Sequence, residues 1–416
     1  MAATRKNSRR LGGAGLALLA GVALTANGAA AQSPTEATVA KPPTFTPIFD
    51  ARLRYESVDQ DGFAKDANAV TMRLRFGLKS MQYHGFSFLV EGETVEGFND
   101  NYNSTTNGRT ALPVVADPDS VELNQAYLAY ADTDMEAVIG RQRIIFDNAR
   151  FVGNVGWRQN EQTFDAALGA LKAVPDLKLT YVYIGAVQRI FSNSNPAGKF
   201  DSDSHLVNLR YTGLPDTVLT GYGYLLDLQE APAASTATYG LRAITSIPLN
   251  ADIALALTGE YAFQTDYGDN AGNVDLQYFL AAIGTKYAGF DVSATYEILE
   301  GDGTVGFATP LATLHAFQGW ADVFLTTPVS GIEDRYTRLG YTFNGFGPFT
   351  KIVTAAIYHA YEAERGNASL GDEVNLLAKG ILDSNVSVTL KYATYDGPSG
   401  GPASRDKLWL QIDYKL

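Results

Sequence analysis

The segment Phe49-Asp50-Ala51-Arg52-Leu53-Arg54-Tyr55-Glu56 separates into two sets of side chains without exception. Positions 49, 51, 53 and 55 are apolar, whereas positions 50, 52, 54 and 56 are charged. Because successive side chains of a β-strand point to opposite faces, this alternation predicts a strand with one apolar and one charged face. Such a strand suits a barrel that crosses a membrane, with lipid outside and water inside.

The same alternation extends to the end of the chain. The final strand has an apolar face made of Leu408, Leu410, Ile412, Tyr414 and Leu416. This face is expected to meet lipid and to close against the first strand through Phe49, Leu53 and Tyr55. Together the patterns predict 18 strands, near residues 47–57, 67–82, 86–97, 120–132, 134–144, 161–171, 176–189, 202–212, 217–227, 236–247, 251–265, 273–287, 290–299, 334–343, 349–362, 371–381, 385–395 and 405–415.

The connections between these strands alternate between short turns and longer loops, the longest near 98–119, 145–160 and 300–333. Short periplasmic turns and long external loops are typical of outer-membrane barrels. The sequence therefore predicts an all-β fold, a transmembrane antiparallel up-and-down β-barrel of about 18 strands. A soluble sandwich or β-helix would not explain the alternation of connection lengths.

Two segments fit this pattern less well. In 134–144, the alternation that turns Arg141 and Arg143 inward also turns the apolar Ile139 inward. Within 300–333, the stretch Trp320–Thr326 is a candidate for an additional strand, which would change the strand count.

Residues 1–31 begin with four cations, continue with an apolar stretch and end in Ala29-Ala30-Ala31. This layout predicts a signal peptide cleaved before Gln32, which leaves 32–416 as one outer-membrane barrel domain. Removal of four cations changes the formal charge from -13 to -17, so no nucleic-acid partner is expected. The chain has no cysteine and its four histidines are far apart, so neither a metal site nor a cofactor is expected.

Basic residues collect on the predicted inward face of the strands, although the chain as a whole is acidic. Arginine stays charged when it is partly desolvated and can bind a carboxylate through two nitrogens, so this face suits an anion-selective pore. The alternative is that these charges merely solvate a water-filled wall. The candidate pore-lining residues on the strands are Arg52, Arg54, Arg73, Arg75, Glu91, Glu93, Arg141, Arg143 and Asp165.

The stretch 140–166, GRQRIIFDNARFVGNVGWRQNEQTFDA, together with VELNQAYLAY at 121–130, resembles the alginate export family of Gram-negative outer-membrane porins. The resemblance rests on a GRQ strand end, an RFVG turn, a WRQN segment and a TFDA strand in this order. It implies an 18-stranded monomeric barrel with an arginine-lined constriction through which an acidic polysaccharide leaves the cell. By position, the resemblance adds Gln142, Arg158 and Gln159 to Arg141 and Asp165 as pore-lining residues.

The resulting hypothesis is an outer-membrane porin for anionic solutes, with export of an alginate-like polysaccharide as its main form. Uptake of small organic anions and general diffusion are the alternatives, and an outer-membrane hydrolase is a further one. We expect no enzymatic activity, because no Ser-His-acid motif surrounds the histidines. The expected partners are outer-membrane lipid and lipopolysaccharide, the anionic solute and the barrel-assembly machinery.

Overall fold

The computed structural model describes residues 44–416, so the predicted signal segment 1–31 lies outside the described residues. The described chain forms one antiparallel sheet of 18 strands, which confirms the predicted fold and strand count. The strands are β1 (Phe45–Gln60), β2 (Ala67–Ser80), β3 (Phe86–Gly97), β4 (Ser120–Ala131), β5 (Met135–Gln142), β6 (Thr163–Val174), β7 (Leu177–Gln188), β8 (Lys199–Leu214), β9 (Thr217–Leu226), β10 (Thr236–Pro248), β11 (Ala254–Asp266), β12 (Asp275–Tyr287), β13 (Phe290–Leu299), β14 (Ile332–Phe346), β15 (Phe349–Glu362), β16 (Ser369–Ile381), β17 (Val386–Asp396) and β18 (Arg405–Lys415).

The sheet closes on itself because β1 pairs with both β2 and β18. The closing register runs from Asp50 opposite Lys415 to Gln60 opposite Arg405. Closure satisfies the backbone hydrogen bonds of the first and last strands, which no water would satisfy inside a bilayer. Two single-turn 3-10 helices, Pro232–Ala234 and Leu314–Ala316, complete the regular structure of residues 44–416. Within residues 44–416, no helix is long and apolar enough to span a membrane.

The two faces of the sheet differ as the alternation predicts. On β18, the outward row Leu408, Leu410, Ile412 and Tyr414 is exposed, whereas Trp409 between them is fully buried. The register places Tyr55 opposite Leu410 and Leu53 opposite Ile412, so the apolar band continues across the closing seam. The predicted contact between the first and last strands is therefore confirmed.

Short turns join the strands at one end of the barrel, and by the rule for such barrels this end is periplasmic. The turn Ala288–Gly289 shows the local reason, since both residues have positive φ, 48° and 88°. A two-residue hairpin turn of this kind matches the right-handed twist of its strands. The opposite end carries the long loops, of which we name L2 (98–119), L3 (143–162), L4 (189–198) and L7 (300–331).

Loops L3 and L7 fold into the barrel and supply much of its buried apolar interior. Phe151 of L3 lies 5.3 Å from the rings of both Tyr222 and Tyr278 on the wall, measured between ring centroids. Val152 of L3 forms a parallel backbone bridge with Leu311 of L7. The two loops therefore support each other across the lumen and restrict the path through it.

Two sequence-based expectations are corrected. Ile139 faces outward, since it is 63% exposed and pairs with Leu128, which is itself exposed on the outer face. A strand places its apolar side chains toward lipid, and this preference decides the orientation of β5. The stretch Trp320–Thr326 contains no strand and belongs to loop L7.

Candidate functional site

The first strand of the barrel holds L3 in place through two arginines. Arg52 donates to the carbonyl oxygens of Gly156, Trp157 and Arg158 at 3.1–3.3 Å, and also pairs with Asp413 at 2.8 Å. Arg54 donates to the Trp157 carbonyl at 2.5 Å. Because both side chains point inward from β1, they bind the backbone of L3 rather than only lining a wall.

Arg158 of L3 contacts L2, L7 and the barrel wall. Its two terminal nitrogens each donate to one carboxylate oxygen of Glu56 at 3.1 Å. Asp117 of L2 and Asp322 of L7 lie 3.5 and 3.7 Å from the same guanidinium group. The side chain is only 8% exposed, so its charge is compensated within the protein.

A second group of charges joins β2 and β3 to L3. Arg75 forms ion pairs with Glu93 and Glu161, and Arg143 binds both Glu91 and Glu161. Glu91, Glu93 and Glu161 are buried, whereas the Arg143 side chain is 31% exposed. The predicted residues Arg75, Arg143, Glu91 and Glu93 are thus brought together, with Glu161 as their shared carboxylate.

Two further predicted residues lie in the interior beside these groups. Arg73 pairs with Asp50, and its remaining guanidinium nitrogens are buried without a partner among the described residues. Gln159 donates from its side chain to the Thr71 hydroxyl at 2.9 Å, while its backbone amide donates to Asp117 at 2.8 Å. Arg73 therefore joins β2 to β1, whereas Gln159 fixes L2 and L3 to the wall.

Arg141 and Asp165 form a pair in a different part of the molecule. Arg141 donates to both oxygens of Asp165, at 2.6 and 2.9 Å, and to the Leu123 carbonyl at 3.0 Å. Strand alternation places Arg141 on the same side of β5 as Ile139, opposite Ala126 of β4. Strand β5 ends at Gln142, so no strand separates β4 from β6 beyond this residue. The Arg141 side chain connects β4 to β6 at this position.

Gln142, the remaining predicted residue, is buried and donates to the carbonyl oxygen of Ala166 at 3.1 Å. It therefore lies against the neighbouring strand β6.

The prediction from sequence missed the loop residues that complete the site. Asp117, Glu161 and Asp322 are the buried carboxylates that neutralise the arginines. Glu161 was within reach of prediction, because it directly follows the WRQN segment. The sequence around Asp117 and Asp322 does not indicate that these residues bind arginine, because many other acidic residues also lie in long loops.

Charge compensation shifts the pKa values of the loop residues. Burial by itself would lower the pKa of Arg158, but Glu56, Asp117 and Asp322 outweigh burial and raise it. Burial would raise the pKa of Glu161, but Arg75 and Arg143 lower it well below the usual range. Arg158 and Glu161 are therefore charged at neutral pH, and each is paired within the protein.

All three tryptophans of the chain meet around one lysine of β17. The Lys391 ammonium lies 4.0 Å from the ring centroid of Trp157 in L3 and 3.7 Å from that of Trp320 in L7. It also contacts the imidazole Nε2 of His315 at 2.7 Å. Burial lowers the pKa of His315 to about 3, so this imidazole is neutral and accepts the lysine hydrogen bond.

A cavity of about 590 Å³ opens below this cluster, toward the short turns. Four basic side chains line it: Arg52, Lys379, Lys391 and Lys415. Arg52 is paired with Asp413, whereas the three lysines form no salt bridge within residues 44–416. Lys379, Lys391 and Lys415 lie at positions that the alternation turns inward, but they were not among the candidate pore-lining residues predicted from sequence.

The described residues contain no group of three or more His, Cys, Asp or Glu side chains that could hold a metal ion. The site consists of fixed charges, aromatic rings and an internal cavity. Such an arrangement can bind and select a charged solute without a covalent step.

The profile of a protein family described as Alginate export matches residues 48–286, which is more than half of the chain. The solved structures similar to this fold include OpdL of Pseudomonas aeruginosa (16% identity, TM-score 0.64, 89% of this chain and 98% of that one). They also include OccAB4 of Acinetobacter baumannii (13%, 0.70, 90% and 100%) and the outer membrane protein OpdK of Pseudomonas aeruginosa (15%, 0.69, 89% and 98%). Among curated proteins, none matches the chain.

Proposed function

The chain belongs to the alginate export family, and from this premise we propose that it is an outer-membrane porin that passes anionic solutes by diffusion. The cargo proposed from the family name is an acidic polysaccharide of the alginate type, moving from the periplasm outward. The barrel acts as a monomer, is inserted by the barrel-assembly machinery and lies among lipid and lipopolysaccharide. Its part is transport, not catalysis.

The observation that carries the proposal is the set of uncompensated lysines in the internal cavity. Lys379 and Lys415 line it without a carboxylate partner within the described chain, whereas Lys391 is buried and hydrogen-bonded to His315. The two lysines without a partner attract anions, although the chain as a whole is acidic. The predicted arginines have a supporting role. Arg54, Arg75 and Arg158 hold the inward loops, and Arg73 pairs with Asp50 on the wall. The partly exposed Arg52 and Arg143 remain candidates for contact with a passing anion.

A second candidate is a porin for single small organic anions. It is favoured by the folding of both L3 and L7 into the lumen, with a backbone bridge from Val152 to Leu311. It is also favoured by the cavity volume of about 590 Å³, which is in the range of about 300–1,000 Å³ typical of small-molecule sites. Movement of L3 and L7 would be required before a polysaccharide chain could pass.

Reversal potentials across planar bilayers test the proposal. In a KCl gradient the purified pore should prefer Cl⁻ to K⁺, and the preference should fade as the Debye length falls from about 10 Å at 0.1 M to about 3 Å at 1 M. Lys379→Glu combined with Lys415→Glu should reverse the preference, whereas Lys65→Glu in an exposed external turn should leave it unchanged. A cation preference of the wild-type pore at low salt would overturn the proposal.

Oligouronate distinguishes the two candidate cargoes. A polysaccharide pore should show reversible current block by oligouronates several residues long, added from the periplasmic side. A porin for small anions should show the same Cl⁻ preference but block only by the monomeric acids.

A further inference from the structure

A groove of about 830 Å³ crosses the wall of the barrel on strands β11 to β15. Its floor consists of small residues: Gly259, Ala281, Ala294, Thr337 and Ala360. A Cβ atom added to Gly259 would meet no atom within 4 Å, so the floor is open at this point. The volume lies in the range of about 300–1,000 Å³ that is typical of small-molecule sites. The proposed transport does not use this groove.

The strand register shows that the groove faces lipid and not the lumen. Ala294 pairs with Ile283, which is 47% exposed, and Thr337 pairs with Tyr358, which is 48% exposed. The neighbour of Tyr358, His359, is buried, so strand alternation turns it to the inner face. The groove therefore lies within the apolar outer band of the barrel.

Larger side chains border the floor on several sides. Leu257 and Ile283 lie opposite each other on β11 and β12, and Tyr358 lies at the other side on β15. Tyr296 and Arg335, which pair across β13 and β14, are closer to the external loops than the floor residues beside them. Small residues between large ones allow a neighbouring molecule to approach the backbone closely.

The polar groups of the groove are at its external end. Arg335 donates to Glu333 at 2.7 Å and lies 3.0 Å from a carboxylate oxygen of Glu362. The Tyr296 hydroxyl donates to Glu333 at 2.6 Å. The Arg335 side chain is 50% exposed and lies near Ile332, where L7 ends and β14 begins. Charged residues and tyrosine at this level are typical of the membrane–water interface.

A further arginine lies at the same end of these strands. Arg365, in the turn between β15 and β16, is exposed and forms no salt bridge within residues 44–416. Its backbone amide donates to the Ser330 carbonyl at 2.9 Å, which places it beside the start of β14. Arginine suits a phosphate group, because its guanidinium can donate two parallel hydrogen bonds to it.

From this arrangement we propose that the groove binds an acyl chain of lipid A, the membrane anchor of lipopolysaccharide. The chain lies on the small residues of the floor, and the phosphate-bearing headgroup lies beside Arg335 and Arg365. Lipid A fits the position of the groove, because its polar end is on the external side, where the outer leaflet consists of lipopolysaccharide. The inference relies on the outer-membrane location and not on the cargo of the pore.

Native mass spectrometry tests the inference, because it counts the lipid molecules bound to each barrel. The purified full-length barrel is freed of co-purified lipid by detergent exchange and titrated with diphosphoryl lipid A. Phosphatidylethanolamine and phosphatidylglycerol are titrated separately. One molecule of lipid A should bind with saturation, and the two phospholipids should bind at least tenfold more weakly.

The variant Gly259→Leu fills the floor and should weaken lipid A binding at least tenfold. Gly169→Leu is the matched control, since Gly169 lies in the exposed outer row of β6, where an added Cβ also meets no atom within 4 Å. It should bind like wild type. If Gly259→Leu does not assemble, as shown by the band shift of the unheated barrel on a gel, Ala294→Leu replaces it with an expected loss of at least threefold.

The headgroup contact has its own pair of variants. Arg335→Gln should weaken lipid A binding at least threefold. Arg109→Gln removes an equally exposed arginine of L2, which is also paired with a carboxylate, and should have no effect.

Three results would overturn the inference: equal binding of phosphatidylethanolamine and lipid A, wild-type binding by the groove-filling variant, or a dimer that Gly259→Leu separates. The last result would identify the groove as an interface between two copies of the chain. The reversal potential of Gly259→Leu in a KCl gradient should equal that of wild type. Failure of the lipid inference would therefore leave the porin proposal intact, and a cation-selective pore would leave the lipid inference intact.

Discussion

Each terminal nitrogen of Arg158 donates a 3.1 Å hydrogen bond to one carboxylate oxygen of Glu56. This parallel pair joins the inward loop L3 to the first strand of the barrel. Both side chains are almost fully buried, so water cannot replace either one as the hydrogen-bond partner of the other. The position of L3 in the lumen therefore depends on a charge pair between residues that are distant in sequence.

The first prediction follows from this pair. Glu56→Gln keeps the shape of the side chain but removes the charge that faces Arg158 and Lys407. Loss of one partner of a buried ion pair typically costs about 3–5 kcal/mol, and the carboxylates of Asp117 and Asp322 should reduce this cost. The free energy of unfolding in guanidinium chloride should fall, and channel current should become noisier as L3 is released.

A control for this prediction is Glu122→Gln, since Glu122 contacts L4 through the Asn193 amide and not L3. It should leave the current noise near the wild-type level. An unfolding midpoint and noise for Glu56→Gln equal to wild type would contradict the anchoring role.

The second prediction concerns the Arg141–Asp165 pair at the end of β5. Arg141→Gln removes the two bonds to Asp165 and the bond to the Leu123 carbonyl. Since hydrogen bonds to charged groups contribute about 1.5–3 kcal/mol each before screening, the barrel should unfold on the gel at a lower temperature. Its Cl⁻ preference should change little, because strand alternation places this side chain on the outer side. A large loss of anion preference in Arg141→Gln with unchanged heat resistance would instead support a pore-lining role.

The strands and the seam were predictable from sequence because their signal is local. A period-2 alternation depends only on neighbouring residues, and a membrane barrel enforces it on nearly every strand. The exception was β5, where Ile139 and Arg141 share one face and the charge pattern pointed to the wrong side. The preference of Ile139 for lipid sets the orientation of β5. Arg141 then lies on the same outer side, where Asp165 compensates its charge.

The site was predictable only in part, because its central contacts join distant segments. The stretch 140–166 identified L3 and Arg158, but nothing near Asp322 or His315 indicates that L7 returns into the lumen to meet them. Likewise the three tryptophans lie in L3, L7 and β18, and only closure of the barrel brings them to Lys391. Such long-range pairing follows from the packing of the loops, which has no sequence period.

The third prediction tests the outer face. Leu410 is 48% exposed and lies opposite Tyr55 and Leu390 in the apolar band. Leu410→Arg should cost roughly 2–4 kcal/mol if the residue lies near the middle of the bilayer. Ser387→Arg, which adds the same charge on the cavity side of β17, should cost less. Urea unfolding in lipid vesicles measures both values, and equal stability of Leu410→Arg and wild type would refute the assignment of this face.

The last prediction concerns His315 and pH. Its Nδ1 donates to Asp322 at 2.7 Å and its Nε2 accepts from Lys391 at 2.7 Å, with Lys407 and Arg158 also close to Asp322. A proton added at Nε2 would break the lysine bond and place two cations face to face. This geometry agrees with the folded pKa of about 3, which burial lowers from the ordinary value.

The unfolded chain titrates this histidine near pH 6.5, so between about pH 6.5 and 3 the unfolded state binds more protons than the folded state. The contribution of His315 to the free energy of unfolding should therefore fall as the pH falls, by roughly 2 kcal/mol between pH 7 and 5. Asp322 and Glu161 have lowered pKa values and lose their contribution only at more acidic pH. His315→Gln should flatten the dependence between pH 7 and 5, measured by chemical unfolding with tryptophan emission, whereas His84→Gln in an exposed periplasmic turn should not. A stability profile of His315→Gln between pH 7 and 5 with the same slope as wild type would show that His315 does not remain neutral in this contact.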